Sequence, residues 1–256
     1  MAVHEITVCA YLINNIGRIT LEHLGLVKTI SNPNPSGSGY MPITSKKQLC
    51  MISSGDSRKK ADLYINDQGV SIKQKGGSFS YNRLQRKNLY DVYSLLKFRD
   101  IEAKLNQIDN EIRRFHLGKL PRRNRPWEKF FSETNFKALL EFLMMKGSPN
   151  VGFSSHPASL ILEAPAKIYS DQSLKVFTFK EYYETYKNQF KIALRRQWIG
   201  QDSRSEHGRA LAIAKNTGNS PWVFDDVVGE PRSGWRGDYP PSERKTVYFL
   251  MIEKEA

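Results

Sequence analysis

Residues 60–75 run Lys60-Ala61-Asp62-Leu63-Tyr64-Ile65-Asn66-Asp67-Gln68-Gly69-Val70-Ser71-Ile72-Lys73-Gln74-Lys75. The pattern predicts two short strands joined by a tight turn within Asp67-Gln68-Gly69. Alternation puts Leu63, Ile65, Val70 and Ile72 on one face and Asp62, Tyr64, Ser71 and Lys73 on the other. A one-residue slip would turn one strand's apolar set into water, so the parity of the pairing is fixed. With Asp67-Gln68 as the turn, Asp62 is expected opposite Lys73. With Gln68-Gly69, it is expected opposite Lys75 and diagonal to Lys73. Gln74 falls on the core side in both registers and is left out of the site. A carboxylate and an ammonium thus meet on the polar face of a hairpin whose back is core. An ordinary cross-strand ion pair is the competing reading.

Outward from the hairpin, the chain has 256 residues and a net charge of +13, with 39% hydrophobic residues including 13 Phe, 12 Tyr and 4 Trp. That is enough apolar material for one large domain, 1–256, with 97–147 as a helical annex for dimerisation or DNA binding. A folded chain with this positive excess suits a polyanion, most often nucleic acid. Cys9 and Cys50 are the only cysteines; they have no metal-ligand spacing and suggest a reducing cytoplasm. No apolar run approaches membrane length, so no membrane is expected as a partner.

Helices are expected over 4–17 and 20–30, the second containing Glu22 and His23. A Pro/Gly/Ser loop covers 31–39 and a first strand 46–53. After the hairpin, a helix over 83–96 would carry Arg83, Arg86 and Lys87 on one stripe, placed for a phosphate backbone or simply solvated. Residues 98–117 read as an amphipathic helix, 127–146 as an apolar helix, 159–163 as a buried strand and 179–198 as a helix ending in Arg195 and Arg196. Between them, Lys119-Leu-Pro-Arg-Arg-Asn-Arg-Pro126 is an extended basic loop offering Arg122, Arg123 and Arg125 to phosphates. Arg232, Trp235 and Arg236 sit in a Gly-rich stretch and are residue types that read or stack on bases. The last strand is expected at 246–252. With Lys75 these cations make up the candidate DNA-binding set.

Other chemistries lack their motifs. There is no Gly-x4-Gly-Lys-Ser/Thr, no Gly-x-Gly-x-x-Gly after a strand, no Gly-x-Ser-x-Gly and no His-Glu-x-x-His. Asp225, Asp226 and Glu230 form a small acidic group that could bind a metal but better suits a turn cap.

An Asp opening one strand, an x-Lys on the next, a helix after it and a basic chain of this length resemble the PD-(D/E)xK nuclease superfamily, and within it type II restriction endonucleases. The resemblance rests on residues 60–90. It implies an α/β (α+β) fold with a central mixed sheet flanked by helices, and Mg²⁺-dependent hydrolysis of double-stranded DNA by a homodimer. Asp62 matches the metal-binding Asp and Lys73 the Lys. Ala61 replaces a Pro, and Ser71 takes the place of the second acid. Some restriction enzymes carry Ser-x-Lys and take a carboxylate from the following helix, but here that helix offers Gln85, then no acid before Asp91. Glu22 or Glu5 from the N-terminal segments is the remaining source, and Glu22 is taken with Asp62 as the metal pair. The likeness gives Lys73 the task of orienting the attacking water or offsetting transition-state charge. Ser71 would bond a phosphate oxygen or a metal-bound water. A non-catalytic nucleic-acid-binding protein and a repair or recombination nuclease are the alternatives.

Overall fold

Leu63, Ile65, Val70 and Ile72 all enter one buried core, as a period of two demands when one face is covered. The computed structural model describes residues 3–34, 37, 39–45, 48, 59–76, 79–116, 119–120, 124–198, 223–224 and 246–254. In chain order these give α1 (Val3–Asn14), β1 (Thr20–Leu21), β2 (Gly25–Leu26), β3 (Ile30–Pro33), β4 (Tyr40–Pro42), β5 (Leu63–Ile65), β6 (Gln68–Gln74) and β7 (Phe79–Gln85). Then follow α2 (Leu89–Leu95), α3 (Ile101–His116), β8 (Asn124–Pro126), α4 (Glu133–Glu141), β9 (Gly147–Ser148), β10 (Gly152–Phe153) and β11 (Leu160–Ala164). The chain closes with β12 (Lys175–Phe177), α5 (Phe179–Tyr186), β13 (Phe190–Trp198), β14 (Val223–Phe224) and β15 (Thr246–Lys254).

The chain divides into two compact units. One is Met1–Phe79 with Lys137–Gln189 and Lys254–Ala256; the other is Ser80–Phe136 with Phe190–Glu253. The stretch 97–147 is therefore shared between them. No helix among the described residues is long and apolar enough to cross a membrane.

The first unit is built on a six-stranded mixed sheet in the order β12-β11-β6-β5-β3-β4. Its neighbours are antiparallel except β6 and β11, which run parallel from Val70↔Leu160 to Gln74↔Ala164. α1 presents Val8, Cys9 and Leu12 to the apolar face of β5, β6 and β11, where Leu160 and Leu162 complete the core. Their spacing is that of one helical face. The opposite face of β6 is roofed by residues 154–159. Ser159 donates its N–H and its hydroxyl to Gly69 O, at 2.8 and 3.1 Å. A Cβ at Gly69 would lie 2.5 Å from Pro157 O, so only glycine lets that segment approach.

The hairpin turn is Asn66-Asp67, not Asp67-Gln68 or Gln68-Gly69. The ladder runs Leu63↔Val70, Tyr64↔Gly69 and Ile65↔Gln68. Both turn residues have positive φ, 48° and 66°, as a two-residue primed turn requires and as Asn and Asp tolerate. Asn66 also ties the turn to residues 24–29. Its Oδ1 accepts from the N–H groups of Lys28 and Thr29, and its Nδ2 donates to Leu24 O and Leu26 O. The new register keeps the parity but slides β5 along β6, so Asp62 meets neither Lys73 nor Lys75.

Three helix expectations give way to strands. Residues 20–26 form a β1–β2 hairpin because His23 (φ 62°) and Gly25 (φ 68°) turn the chain left-handed. Residues 79–85, Phe-Ser-Tyr-Asn-Arg-Leu-Gln, alternate as a strand before α2 begins. The helix from Phe179 ends at Tyr186, and β13 takes over to pair with β8 through Ile192↔Arg125. The 127–146 segment is α4 flanked by a 3-10 turn at Trp127–Lys129 and a π turn at Phe142–Lys146. The strand expected over 46–53 lies, Gln48 apart, outside the described residues.

The second unit has a five-stranded sheet, β14-β15-β13-β8 with β7 beside β15. Its aromatic core stacks Trp127 on Phe136 at 4.5 Å and sets Tyr93, Phe98, Phe131 and Phe190 around them.

Candidate active site

Asp62 lies just before β5 begins, and its N–H donates to Val70 O at 2.9 Å. Its Oδ2 accepts the N–H of Ile72 at 2.6 Å and the hydroxyl of Ser71 at 3.3 Å. The backbone and the carboxylate of Asp62 both bond to β6, which fixes the side chain against that strand. Ser71 Oγ in turn accepts from Lys73 Nζ at 2.7 Å, and the same ammonium donates to Ile72 O at 3.1 Å. Asp62, Ser71 and Lys73 are thus joined into one run, with Ser71 as the link. Asp62 Oδ1 makes no hydrogen bond among the described residues.

Sequence reasoning passed over two neighbours. Lys60, which the sequence gives no role, is buried, and its Nζ donates to Leu143 O at 2.9 Å. Burial first, and the charge of Lys73 second, push its pKa down to about 8, while Asp62 acts in the opposite sense. His156 is also buried, and its carbonyl accepts the N–H groups of Lys60 and Ala61 at 3.0 and 2.9 Å. Its Nε2 faces two carbonyl acceptors, Asn34 O at 3.0 Å and Gly37 O at 2.6 Å, so that nitrogen carries the hydrogen. Nδ1 then accepts from Tyr64 OH at 3.0 Å, and Tyr64 stacks on Tyr40 at 4.7 Å. His156 thereby pins the loop after β3 beside the strand that carries Asp62. A lone histidine far along the sequence gives no motif to find it by.

Three carboxylates are relevant to a second metal ligand. Glu22 is exposed in the β1–β2 turn, next to a His23 that bonds Glu181 at 2.8 Å, and no described interaction joins it to Asp62. The segment that carries Glu22 is thus a hairpin and not the expected helix. Glu5, half-buried on α1, and Asp62 both act on the buried Cys9 thiol, which burial and then these two charges push up to about 12. Glu163 sits in register with Lys73 across the β6–β11 pair, buried, with both oxygens accepting from Tyr186 OH at 2.7 and 2.9 Å. Burial and that carboxylate push the Tyr186 phenol well above its ordinary range. Among the described residues no three His, Cys, Asp or Glu side chains gather as a metal-binding group. Mg²⁺ needs less than that, since one or two carboxylates with substrate phosphates commonly suffice. Asp62 and, on α1, Glu5 are carboxylates of the right chemistry for that ion, linked here by their joint effect on Cys9.

The candidate DNA-binding cations divide. Lys75 is exposed at the end of β6, its N–H held by Ala164 O at 2.8 Å. Arg86 is engaged with Asp109 through Nε at 2.6 Å and Nη2 at 2.9 Å, a fork that takes it out of the free basic set. Arg125 lies with Nε 3.1 Å from Glu111 Oε2, an ionic contact without hydrogen-bond geometry. Arg83 is in β7, Lys87 follows it in a 3-10 turn, and Arg195 and Arg196 are in β13. Arg122, Arg123, Arg232, Trp235 and Arg236 lie outside the described residues. Comparison with family models, with curated proteins and with solved structures returns no match to this chain.

Proposed function

We propose that the chain is a Mg²⁺-dependent endonuclease that hydrolyses double-stranded DNA at defined sequences, acting as a homodimer in the cytoplasm. The observation that carries this reading is the run Lys73–Ser71–Asp62, which joins alternate residues of β6 to the residue just before β5. It joins a carboxylate and an ammonium on one face of a sheet in a chain of net charge +13. Asp62, with Glu5, would hold the ion, which supplies polarisation of the scissile phosphate and a more acidic bound water. Lys73 offsets charge on the phosphate and orients the attacking water. Ser71 keeps the ammonium and the carboxylate in one frame. The mixed sheet with helices supports the same reading at the level of architecture.

A second reading has its own observation. The Asp62 carboxylate already completes the hydrogen bonding of Ile72, which a purely structural aspartate would do. In that case the protein binds nucleic acid through its positive surface without cutting it. Digestion of a genome-sized DNA with Mg²⁺, followed by sequencing of the ends, separates the readings. Ends at one repeated sequence support the restriction reading, ends at branched or damaged sites support a repair nuclease, and intact DNA at every metal and salt condition leaves only the binding protein.

A further inference from the structure

Lys60 and Lys73 are ammonium groups in the wrong surroundings for idle charges. Lys60 is 8% exposed and Lys73 half-buried, and Lys60 feels the charge of Lys73. Among the described residues, neither makes an ion pair. Lys60 Nζ donates to the carbonyl of Leu143, while Lys73 Nζ donates to the hydroxyl of Ser71 and the carbonyl of Ile72. All three acceptors are neutral. Of the carboxylates nearby, Asp62 has one oxygen taken by Ile72 N–H and Ser71 OH, and Glu163, in register with Lys73, accepts from Tyr186 OH. Neither lysine bonds a carboxylate, so both ammonium groups keep donors for a further acceptor.

Burying an ammonium without a countercharge is costly, and fold stability alone would favour an apolar side chain at position 60. The backbone holds Lys60 in place nonetheless, since the N–H groups of Lys60 and Ala61 converge on His156 O. An ammonium carries three donors. Beyond the bonds above, Lys60 has two left and Lys73 has one. A tetrahedral oxyanion offers several acceptor oxygens and supplies the missing charge.

We propose that Lys60 and Lys73 together form a subsite for a single phosphate group, making Lys60 a second phosphate-binding residue of the site. The source of that phosphate as a DNA phosphodiester rests on the nuclease reading above; the binding of the group itself does not. A neutral residue at position 60 removes one of the two charges while keeping the packing, and Met matches the length of the lysine stem.

The test uses the full chain in metal-free buffer with inorganic phosphate as the probe. Calorimetry and amide NMR are recorded for wild type, Lys60→Met, Lys60→Arg and Lys73→Met. Phosphate should shift amides near residues 60–62 and 71–73 in the wild type. Lys60→Met and Lys73→Met should each weaken binding roughly tenfold, the worth of one charge-assisted hydrogen bond, with Lys60→Arg closer to wild type. A second arm measures kcat/KM on a short DNA duplex with Mg²⁺, where Lys60→Met should fall about tenfold or more. Phosphate binding that is equal in wild type and Lys60→Met, or no shift at these residues in the wild type, overturns the subsite whether or not DNA is cut. A role for Lys60 only in tying down Leu143 would show as a lower melting temperature with unchanged phosphate affinity, and also overturns it. Lys60-dependent phosphate binding with no DNA cleavage upholds the subsite and removes the nuclease reading.

Discussion

The two units of this protein hold opposite arrangements of charge. In the first, Lys60 and Lys73 face neutral oxygens, and Asp62 accepts from a backbone N–H and a hydroxyl. In the second, three cations converge on one buried carboxylate: Arg114 at 2.7 Å, Lys129 at 2.8 Å and Arg125 at 3.1 Å from Glu111. Arg86 and Asp109 add a fork in the same unit. Around Glu111 every cation reaches the carboxylate, and the set holds α3 to β8 as a structural ion cluster does. Around Asp62 neither lysine makes an ion pair among the described residues, and both donate to neutral oxygens. For the fold alone, a buried ammonium without an ionic partner is the costlier arrangement.

That contrast can be broken most forcefully at Asp62. Replacing it with Asn keeps an oxygen acceptor for Ile72 N–H, so the melting temperature should stay near that of the wild type. Cleavage should fall by about a thousandfold or more, because the metal-binding charge is gone. Asp62→Ala should lose the activity and about 1–3 kcal/mol of stability as well, since a buried N–H is left unmade. Equal cleavage by wild type and Asp62→Asn would make this aspartate structural.

Glu111 should behave in the reverse way. Glu111→Gln removes the buried charge that three cations share, and because Arg114 and Lys129 reach solvent while Arg125 is mostly buried, it should cost about 1–3 kcal/mol in denaturant unfolding. Burial tends to raise this carboxyl, but the hydrogen bond and charge of Lys129, then Arg125 and Arg114, outweigh it and hold it below the ordinary 4.5. A depressed carboxyl contributes stability that is present above its unfolded value and is lost as pH falls through the folded one. Stability should therefore drop below pH 4.5, and a melting series across that range should lose part of its slope in Glu111→Gln. If the variant melts like wild type, the cluster is a surface decoration.

Asn66 sharpens the comparison from the side of the scaffold. Asn66→Gly keeps the positive φ but loses four side-chain hydrogen bonds to residues 24–29. A loss of about 2–3 kcal/mol is expected by chemical denaturation. Asn66→Ala should lose more, because φ is then strained too.

The smallest effect is expected at Ser71. Ser71→Ala removes the link between Lys73 and Asp62 and leaves both charges in place. Steady-state cleavage should slow about tenfold, mostly in kcat, with little change in melting temperature. A change in KM alone would mean that Ser71 serves binding rather than alignment.

Much of this was legible in the sequence, and the misses have physical causes. The period of two in Leu63, Ile65, Val70 and Ile72 fixed the faces of the hairpin because one face is core. The register was not legible, since it depends on Asn66 reaching residues roughly forty positions earlier. Residues 20–30 have helical spacing, but His23 and Gly25 turn the chain through positive φ, and Glu22 sits in the resulting turn. Residues 187–198 lack a Gly or Pro to mark where the helix ends, and the strand that follows is dictated by pairing with β8. Lys60 and His156 had no motif at all; only the tertiary fold brings residues 60–61 and 156 together. Arg86 and Arg125 looked like free cations because their acids, Asp109 and Glu111, lie on α3, which sequence patterning treats as a solvated face.

The central claim is that Asp62 serves chemistry and not only the fold. It is tested most directly by incubating one DNA with purified wild type and Asp62→Asn, each with and without Mg²⁺, after matching their melting temperatures. The account predicts discrete fragments from wild type with Mg²⁺ alone, and intact DNA from Asp62→Asn at the same stability. Identical cleavage by both proteins, or intact DNA with both, would contradict it.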